Sequence, residues 1–191
     1  MMRSGRLFRD GVVTFALLAI LALFALKMNN RPEIVQNGSF YVIDGDTLSA
    51  SGERLRLKGI DAPEYRQRCQ RNGADWACGE EARKALATMI KTGAPECRGR
   101  ERDRYGRLLV TCVAGDADIN AAMVRSGMAV SYGGYASEER SARQAKAGLW
   151  ASDFERPSDY RREELMAHDN DNDPIAGWLG YLRQLAGWSA P

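Results

Sequence analysis

Histidine is almost missing from this chain of 191 residues, which has one, His168. The four cysteines, Cys69, Cys78, Cys97 and Cys112, are too widely spaced to form a C-x₂-C pair. Zinc sites draw on these two residue types at short separations, so a zinc module is excluded. Charge of one sign is also lacking: 27 Lys and Arg against 25 Asp and Glu leave a net charge of only +2. No global basic field draws in a polyanion, and any pull on phosphate has to come from local arginine placement. Nor is there a broad stretch of interleaved aromatic and basic residues, which argues against sequence-specific readout of nucleic acid. The acidic run from His168 to Pro174 makes no EF-hand, because Pro174 stands where that loop needs glycine and Gly180 where it needs the bidentate glutamate.

The chain does have one long apolar run, Gly11 to Leu26, preceded by Arg3, Arg6 and Arg9 and followed by Lys27 and Met28. At about 1.5 Å per residue it reaches about 24 Å, short of the roughly 30 Å hydrocarbon core unless Lys27 snorkels and Met28 joins. Its end offers no A-x-A-like cleavage site. Residues 1–28 are therefore expected to be an uncleaved signal anchor that crosses the inner (cytoplasmic) membrane once through residues 11–28. The basic flank keeps the N-terminus cytoplasmic and places the rest in the periplasm. Secretion after cleavage is the alternative.

An even cysteine count in an exported domain favours disulfides. If the strands around Arg104-Tyr105 fold back about that pair, residues whose numbers sum to 209 face each other, and Cys97 and Cys112 meet that condition. Directly opposed Cβ atoms are close to bridging distance. Cys69 with Cys78 follows by elimination, stapling the loop after Glu64.

With 45% hydrophobic and 27% charged residues, the remainder reads as one globular domain. Residues 29–35 are a polar linker. Alternation predicts strands over 41–43, 47–50 and 54–60, with Ser51-Gly52 as a turn. In the third strand Leu55 and Leu57 point one way and Arg54, Arg56 and Lys58 the other. Between Gly79 and Thr92 the period becomes helical, with Ala82, Ala85, Leu86, Met89 and Ile90 on one face, Glu80 and Glu81 in the first turn and Gly93 past the end. Strands at 96–101 and 107–113 follow, then two shorter helices that start at the N-cap residues Asp118 and Ser137 and end at Gly127 and Gly148. This α+β pattern has short strand-to-strand connections that fit a small barrel. Residues 157–174 read as a polar acidic linker. Residues 175–191 read as an amphipathic C-terminal helix, with Ile175, Trp178, Leu179, Leu182 and Leu185 near one face.

Five residues carry the candidate chemistry: Asp46, Arg56, Asp61, Glu64 and Arg107. Carboxylate oxygens suit a hard cation such as Mg²⁺ or Ca²⁺, and planar guanidinium forks match phosphate oxygens. The blocks Ile43-Asp44-Gly45-Asp46-Thr47, Arg56-Leu57-Lys58-Gly59-Ile60-Asp61-Ala62-Pro63-Glu64 and Asp103-Arg104-Tyr105-Gly106-Arg107 resemble the staphylococcal-nuclease (thermonuclease) family, in family order, from about Ser39 to about Trp150. The resemblance implies an OB-type five-stranded barrel with three helices over residues 36–156. It further implies a calcium-dependent endonuclease of broad specificity on DNA and RNA that leaves 3′-phosphates. Asp46 and Asp61 would bind Ca²⁺ with the carbonyl of Ala62, where relatives often carry threonine. Glu64 would activate water, and Arg56 and Arg107 would hold the phosphate. Tyr132 and Arg104 are the candidates for further substrate contact. No obligate protein partner is implied. The competing reading is a catalytically silent nucleic-acid or protein binding module with a cell-envelope or exopolysaccharide-related role, and the intact acids and arginines count against it.

Overall fold

The computed structural model describes residues 4–29 and 32–171. Helix α1 (Ser4–Asn29) leads into strands β1 (Ile34–Gln36), β2 (Tyr41–Val42), β3 (Thr47–Ala50), β4 (Glu53–Leu57), β5 (Ile60–Asp61), β6 (Cys69–Arg71) and β7 (Ala74–Trp76). Helix α2 (Cys78–Gly93), strands β8 (Glu96–Arg102), β9 (Leu108–Ala114) and β10 (Ala117–Asp118), and helix α3 (Ile119–Arg125) come next. Strand β11 (Val130–Ser131), helix α4 (Ala136–Gln144), a 3₁₀ turn at Gly148–Ala151 and helix α5 (Pro157–Asp171) complete it.

The main sheet runs β1-β8-β9-β4-β3-β2, with β10 added beside β9. The expected strands lie in it, except the end of the one over 54–60, and they make a curled half-barrel. Helix α2 covers the concave side, burying Ala82, Leu86 and Ile90 against Leu48, Leu55, Leu57, Leu108 and Val110. Burial of one such Leu is worth roughly 1.5–3 kcal/mol relative to exposure. The arrangement is consistent with an OB-like fold, and β4 beside β9 is its parallel pairing.

The expected strand over 54–60 is broken. β4 ends at Leu57, the chain turns at Lys58-Gly59, and β5 pairs with β11 instead. Gly59 has φ +81°, and a Cβ there would lie 3.2 Å from Tyr135 Cε2. Glycine adopts that backbone without a Cβ penalty, and the turn re-aims Asp61.

β8 and β9 pair Cys97 with Cys112, and both expected disulfides form, Cys69–Cys78 and Cys97–Cys112. The register has an unexpected origin. Next to the turn, Glu101 faces Leu109 and Arg102 faces Leu108, so the turn centres on Tyr105; an irregularity between Gly99 and Glu101 then shifts the pairing by one residue. The bulge restores the alignment that brings the cysteines together.

Two segments depart from expectation. Residues 157–171 are helical, where a linker was expected; Pro157 at the first position suits a helix start because its missing N–H is not needed there. The other is the N-terminal run. It is helical and its apolar side chains, Phe15, Leu18 and Leu21 among them, are exposed, yet no helix among the described residues is long and apolar enough to cross a membrane. Its apolar run is about four residues short of the roughly 20 a span needs, so a single-pass segment at 11–28 is not supported. The expected helix at 175–191 lies outside the described residues.

Candidate active site

The site begins at the β3–β4 hairpin. Thr47 faces Arg56 across the strands, which puts the guanidinium beside the preceding residue, Asp46. The tight turn into β3 is closed by Ile43 N–H donating to Thr47 O at 2.9 Å and Asp46 N–H donating to the Asp44 carboxylate at 3.0 Å. Asp46 is only 2% exposed. Its Oδ1 accepts from Arg56 Nη1 at 2.6 Å and from the Thr47 hydroxyl at 3.0 Å, and its Oδ2 accepts from the Ala62 amide at 2.9 Å. Burial pushes the Asp46 carboxyl up to about 7, against the opposing pull of Arg56.

Asp61, also 2% exposed, is placed by β5. Its Oδ1 accepts from Arg56 Nη2 at 2.7 Å, so one guanidinium bridges both buried aspartates. Desolvation would lower the pKa of Arg56, but Asp46 and Asp61 outweigh it and hold the group charged. Its two terminal nitrogens thus face carboxylates, not open solvent.

Glu64 lies in the loop after Pro63. Gln67 fixes that loop: its Oε1 accepts from Glu64 N–H at 3.2 Å, its own N–H donates to Glu64 O at 2.8 Å, and its Nε2 donates to Glu155 O at 2.7 Å. Helix α2 presses on the loop from the other side. A Cβ at Gly79 would fall 1.8 Å from Glu64 O, so only glycine allows that approach. The Cys69–Cys78 bridge ties the far end of the loop to the first residue of the same helix.

Arg107 is oriented by Asp103. One Asp103 oxygen accepts from Tyr105 N–H at 2.9 Å and Arg107 N–H at 3.0 Å, and the other accepts from Arg107 Nε and Nη2, both at 2.7 Å. Burial alone would raise the Asp103 carboxyl, but these bonds outweigh it and hold it below its ordinary value.

An open cleft of about 920 Å³ collects these groups. Arg56, Asp61, Glu64 and Arg107 line it together with Arg104 and Tyr132, and Asp46 and Ala62 lie buried behind them. Arg54 and Lys58 add positive charge to the rim. The local basic character expected of a phosphate site is therefore present despite the small net charge. Tyr132 is exposed at the cleft, whereas Tyr135 is half-buried and donates its hydroxyl to Asp118 at 3.0 Å. Desolvation and Asp118 push the Tyr135 phenol up to about 12.

Sequence reasoning missed three residues here: Gln67, Asp103 as the partner of Arg107, and Arg161. Arg161 reaches in from the first turns of α5, donating from Nη2 to Asp61 Oδ2 at 3.0 Å and from Nη1 to Glu64 Oε1 at 2.9 Å. Burial acts to lower its pKa, but the bonds to Asp61 and Glu64 prevail and raise it. The acids do not fit a hard cation as they stand. Arg56 and Arg161 hold the oxygens of Asp61, and Arg56, Thr47 and Ala62 surround those of Asp46. Among the described residues no three His, Cys, Asp or Glu side chains are grouped to hold a metal ion.

Comparison with known proteins points to one family. A family model described as staphylococcal nuclease homologue matches residues 54–152. Succinoglycan biosynthesis protein ExoI of Rhizobium meliloti is 41% identical over 121 residues, covering 59% of this chain and 63% of that protein. Protein ParB of Escherichia coli is 35% identical over 161 residues, covering 73% of this chain and 83% of ParB. An uncharacterized endonuclease of Haemophilus influenzae is 31% identical over 147 residues, covering 70% of this chain and 78% of that protein. The chain thus spans less than two thirds of the length of ExoI and most of the other two.

Proposed function

We infer that this chain, which belongs to the staphylococcal nuclease homologue family, hydrolyses phosphodiester bonds of DNA and RNA with little regard to sequence, in a Ca²⁺-dependent reaction. The observation that carries this reading is the single cleft in which two arginines from separate hairpins, Arg56 and Arg107, share a surface with Asp61 and Glu64. The Haemophilus relative is an uncharacterized endonuclease, which supports the same reading.

The roles follow from chemistry. Attack of water on a phosphodiester builds negative charge on the phosphorus oxygens. Fixed guanidinium donors bind that charge more tightly than the ground state, which is the condition for accelerating the step. Arg107 is pre-aimed by Asp103, and Arg56 is the fixed charge behind the site. Glu64, a third exposed, is suited to activating an attacking water. Tyr132 and Arg104 at the rim suit contact with the sugar-phosphate strand and a neighbouring base, a sequence-tolerant mode of binding. Calcium dependence rests on the acidic set and the family, not on the arrangement of the oxygens.

The reading includes an extracytoplasmic setting. Two disulfides suit an oxidising compartment, and the exposed apolar helix α1 suits an export segment.

The test is cleavage of denatured DNA and of RNA by the full chain in Ca²⁺ against EGTA, beside Glu64→Gln. Cleavage that requires Ca²⁺ and falls by at least a hundredfold in the variant is expected, since general acid–base help contributes about 10²–10⁴-fold. No cleavage under either condition overturns the proposal.

A further inference from the structure

We propose, on the nuclease reading above, that Arg161 is a third phosphate-binding guanidinium of the cleft, supplied by helix α5 from beyond the region that the family model matches.

A phosphate has to come close to Glu64 to be cut. A water that Glu64 activates sits within about 3 Å of its carboxylate, and the phosphorus it attacks within about 3.5 Å of that water. Arg161 Nη1 lies 2.9 Å from Glu64 Oε1, and Arg161 lines the same cleft as Arg56 and Arg107. The reacting phosphate and this guanidinium are therefore neighbours around one carboxylate.

The donors of the fork are not used up. Arg56 places both terminal nitrogens on buried aspartates, at 2.6 Å and 2.7 Å, and is 15% exposed. Arg161 is 36% exposed and gives one bond from each terminal nitrogen. A guanidinium carries five N–H donors, which leaves Nε–H and the second hydrogen of each terminal nitrogen for an incoming anion. Asp61 and Glu64 fix the fork much as Asp103 fixes Arg107, so it meets the phosphate pre-aimed. Without it the two acids repel an approaching phosphodiester; with it that repulsion is offset, and the charge that builds during attack gains a donor. Support of α5 does not account for the residue. An ion pair this exposed adds little stability, and the burial of Pro157 and the Gln67–Glu155 bond already hold the start of the helix.

Binding of a fluorescent single-stranded oligonucleotide to the full chain is measured by anisotropy in EGTA over a range of salt, for wild type, R161Q, R161K and R162Q. Cleavage in Ca²⁺ is the second readout, and circular dichroism checks folding. R161Q is expected to bind about tenfold more weakly, and its plot of log affinity against log salt loses about 0.7 in slope, the value for one phosphate contact on a single strand. Its kcat/KM falls by about a hundredfold. R161K keeps the slope but binds more weakly than wild type, because an ammonium is a point charge without the fork. R162Q, changed at an exposed arginine paired with Asp159, matches wild type. A role confined to positioning the acids would lower cleavage in R161Q and leave its affinity and slope unchanged, and that result overturns the inference. Should R161Q not fold, R161K decides: affinity equal to wild type overturns it. If wild type cuts DNA and R161Q binds and cuts as well, this inference alone fails. If wild type neither binds nor cuts, the nuclease reading fails and this one with it.

Discussion

Gln67 is only 1% exposed and makes no contact that the chemistry of the cleft requires, yet it holds the loop that carries Glu64. Replacing it with alanine removes an acceptor from Glu64 N–H and a donor from Glu155 O. Each buried polar group left without a partner costs roughly 1–3 kcal/mol, so the pair together cost about 3 kcal/mol. For a domain of this size about 1 kcal/mol moves the melting temperature by roughly 2–4 °C, which gives a loss of about 6–12 °C. The kinetic consequence is separate. Glu64 loses its fixed position while the arginines keep theirs, so kcat should fall by tenfold or more with little change in KM. Calorimetry and steady-state cleavage of a defined oligonucleotide read the two effects. Gln67→Glu makes a second arm: it keeps the acceptor for Glu64 N–H but sets a carboxylate against the Glu155 carbonyl, so it should destabilise while preserving more of kcat than alanine does. A Gln67→Ala protein that melts within 1 °C of wild type with unchanged kcat would refute the idea that this side chain positions the loop.

Asp103→Ala removes the partner of Arg107 and the one oxygen that accepts both turn-closing bonds, so cleavage should fall by about tenfold or more through loss of phosphate grip, and the domain should lose about 2 kcal/mol. Because the Asp103 carboxyl is held below its ordinary value in the fold, its contribution is present at neutral pH and lost as the pH falls through the folded value, below about 4. Acid-unfolding curves of wild type and Asp103→Asn should therefore converge at low pH and separate above it. The Cys97–Cys112 bridge closes a separation of 15 residues between paired strands. Its removal by the double Cys→Ala change should cost about 3 kcal/mol in denaturant melts, whereas loss of the Cys69–Cys78 bridge should lower activity more than stability because it loosens the Glu64 loop.

Much of the fold was legible because its signals are local. The face Ala82, Leu86 and Ile90 announces helix α2 by period, and Asp118 caps α3 as expected, accepting from Ala121 N–H at 3.0 Å. Local signals also misled. Gly93, read as lying just past the end, is the last residue of the helix, close enough to Ala114 that a Cβ would come 2.4 Å from that of Ala114, and Ala94 takes the left-handed cap. Helix α4 begins one residue before Ser137, behind a left-handed Tyr135 whose hydroxyl is drawn to Asp118. In both cases a tertiary contact overrides a preference that acts through the nearest residues alone.

The same distinction explains the site. Motif spacing marked Asp46, Arg56, Asp61, Glu64 and Arg107, and the hairpin register and the turn at Gly59 gather four of them on one cleft with Asp46 behind. Spacing carried no information about which donors saturate the acids. Arg161 stands 100 positions from Asp61 in a stretch whose charge pattern reads as a solvated linker, and its hydrophobic pattern is too weak to mark a helix. What places it is the burial of Pro157 and the Gln67–Glu155 bond just before it, a contact between residues 88 positions apart that no local pattern announces. A guanidinium delivered in this way is as strong a partner for a carboxylate as one fixed by a neighbouring strand. The resting charge of the cleft is therefore set by the appendage as well as by the motif, and a domain cut off at Trp150 should present its acids with one counter-charge fewer.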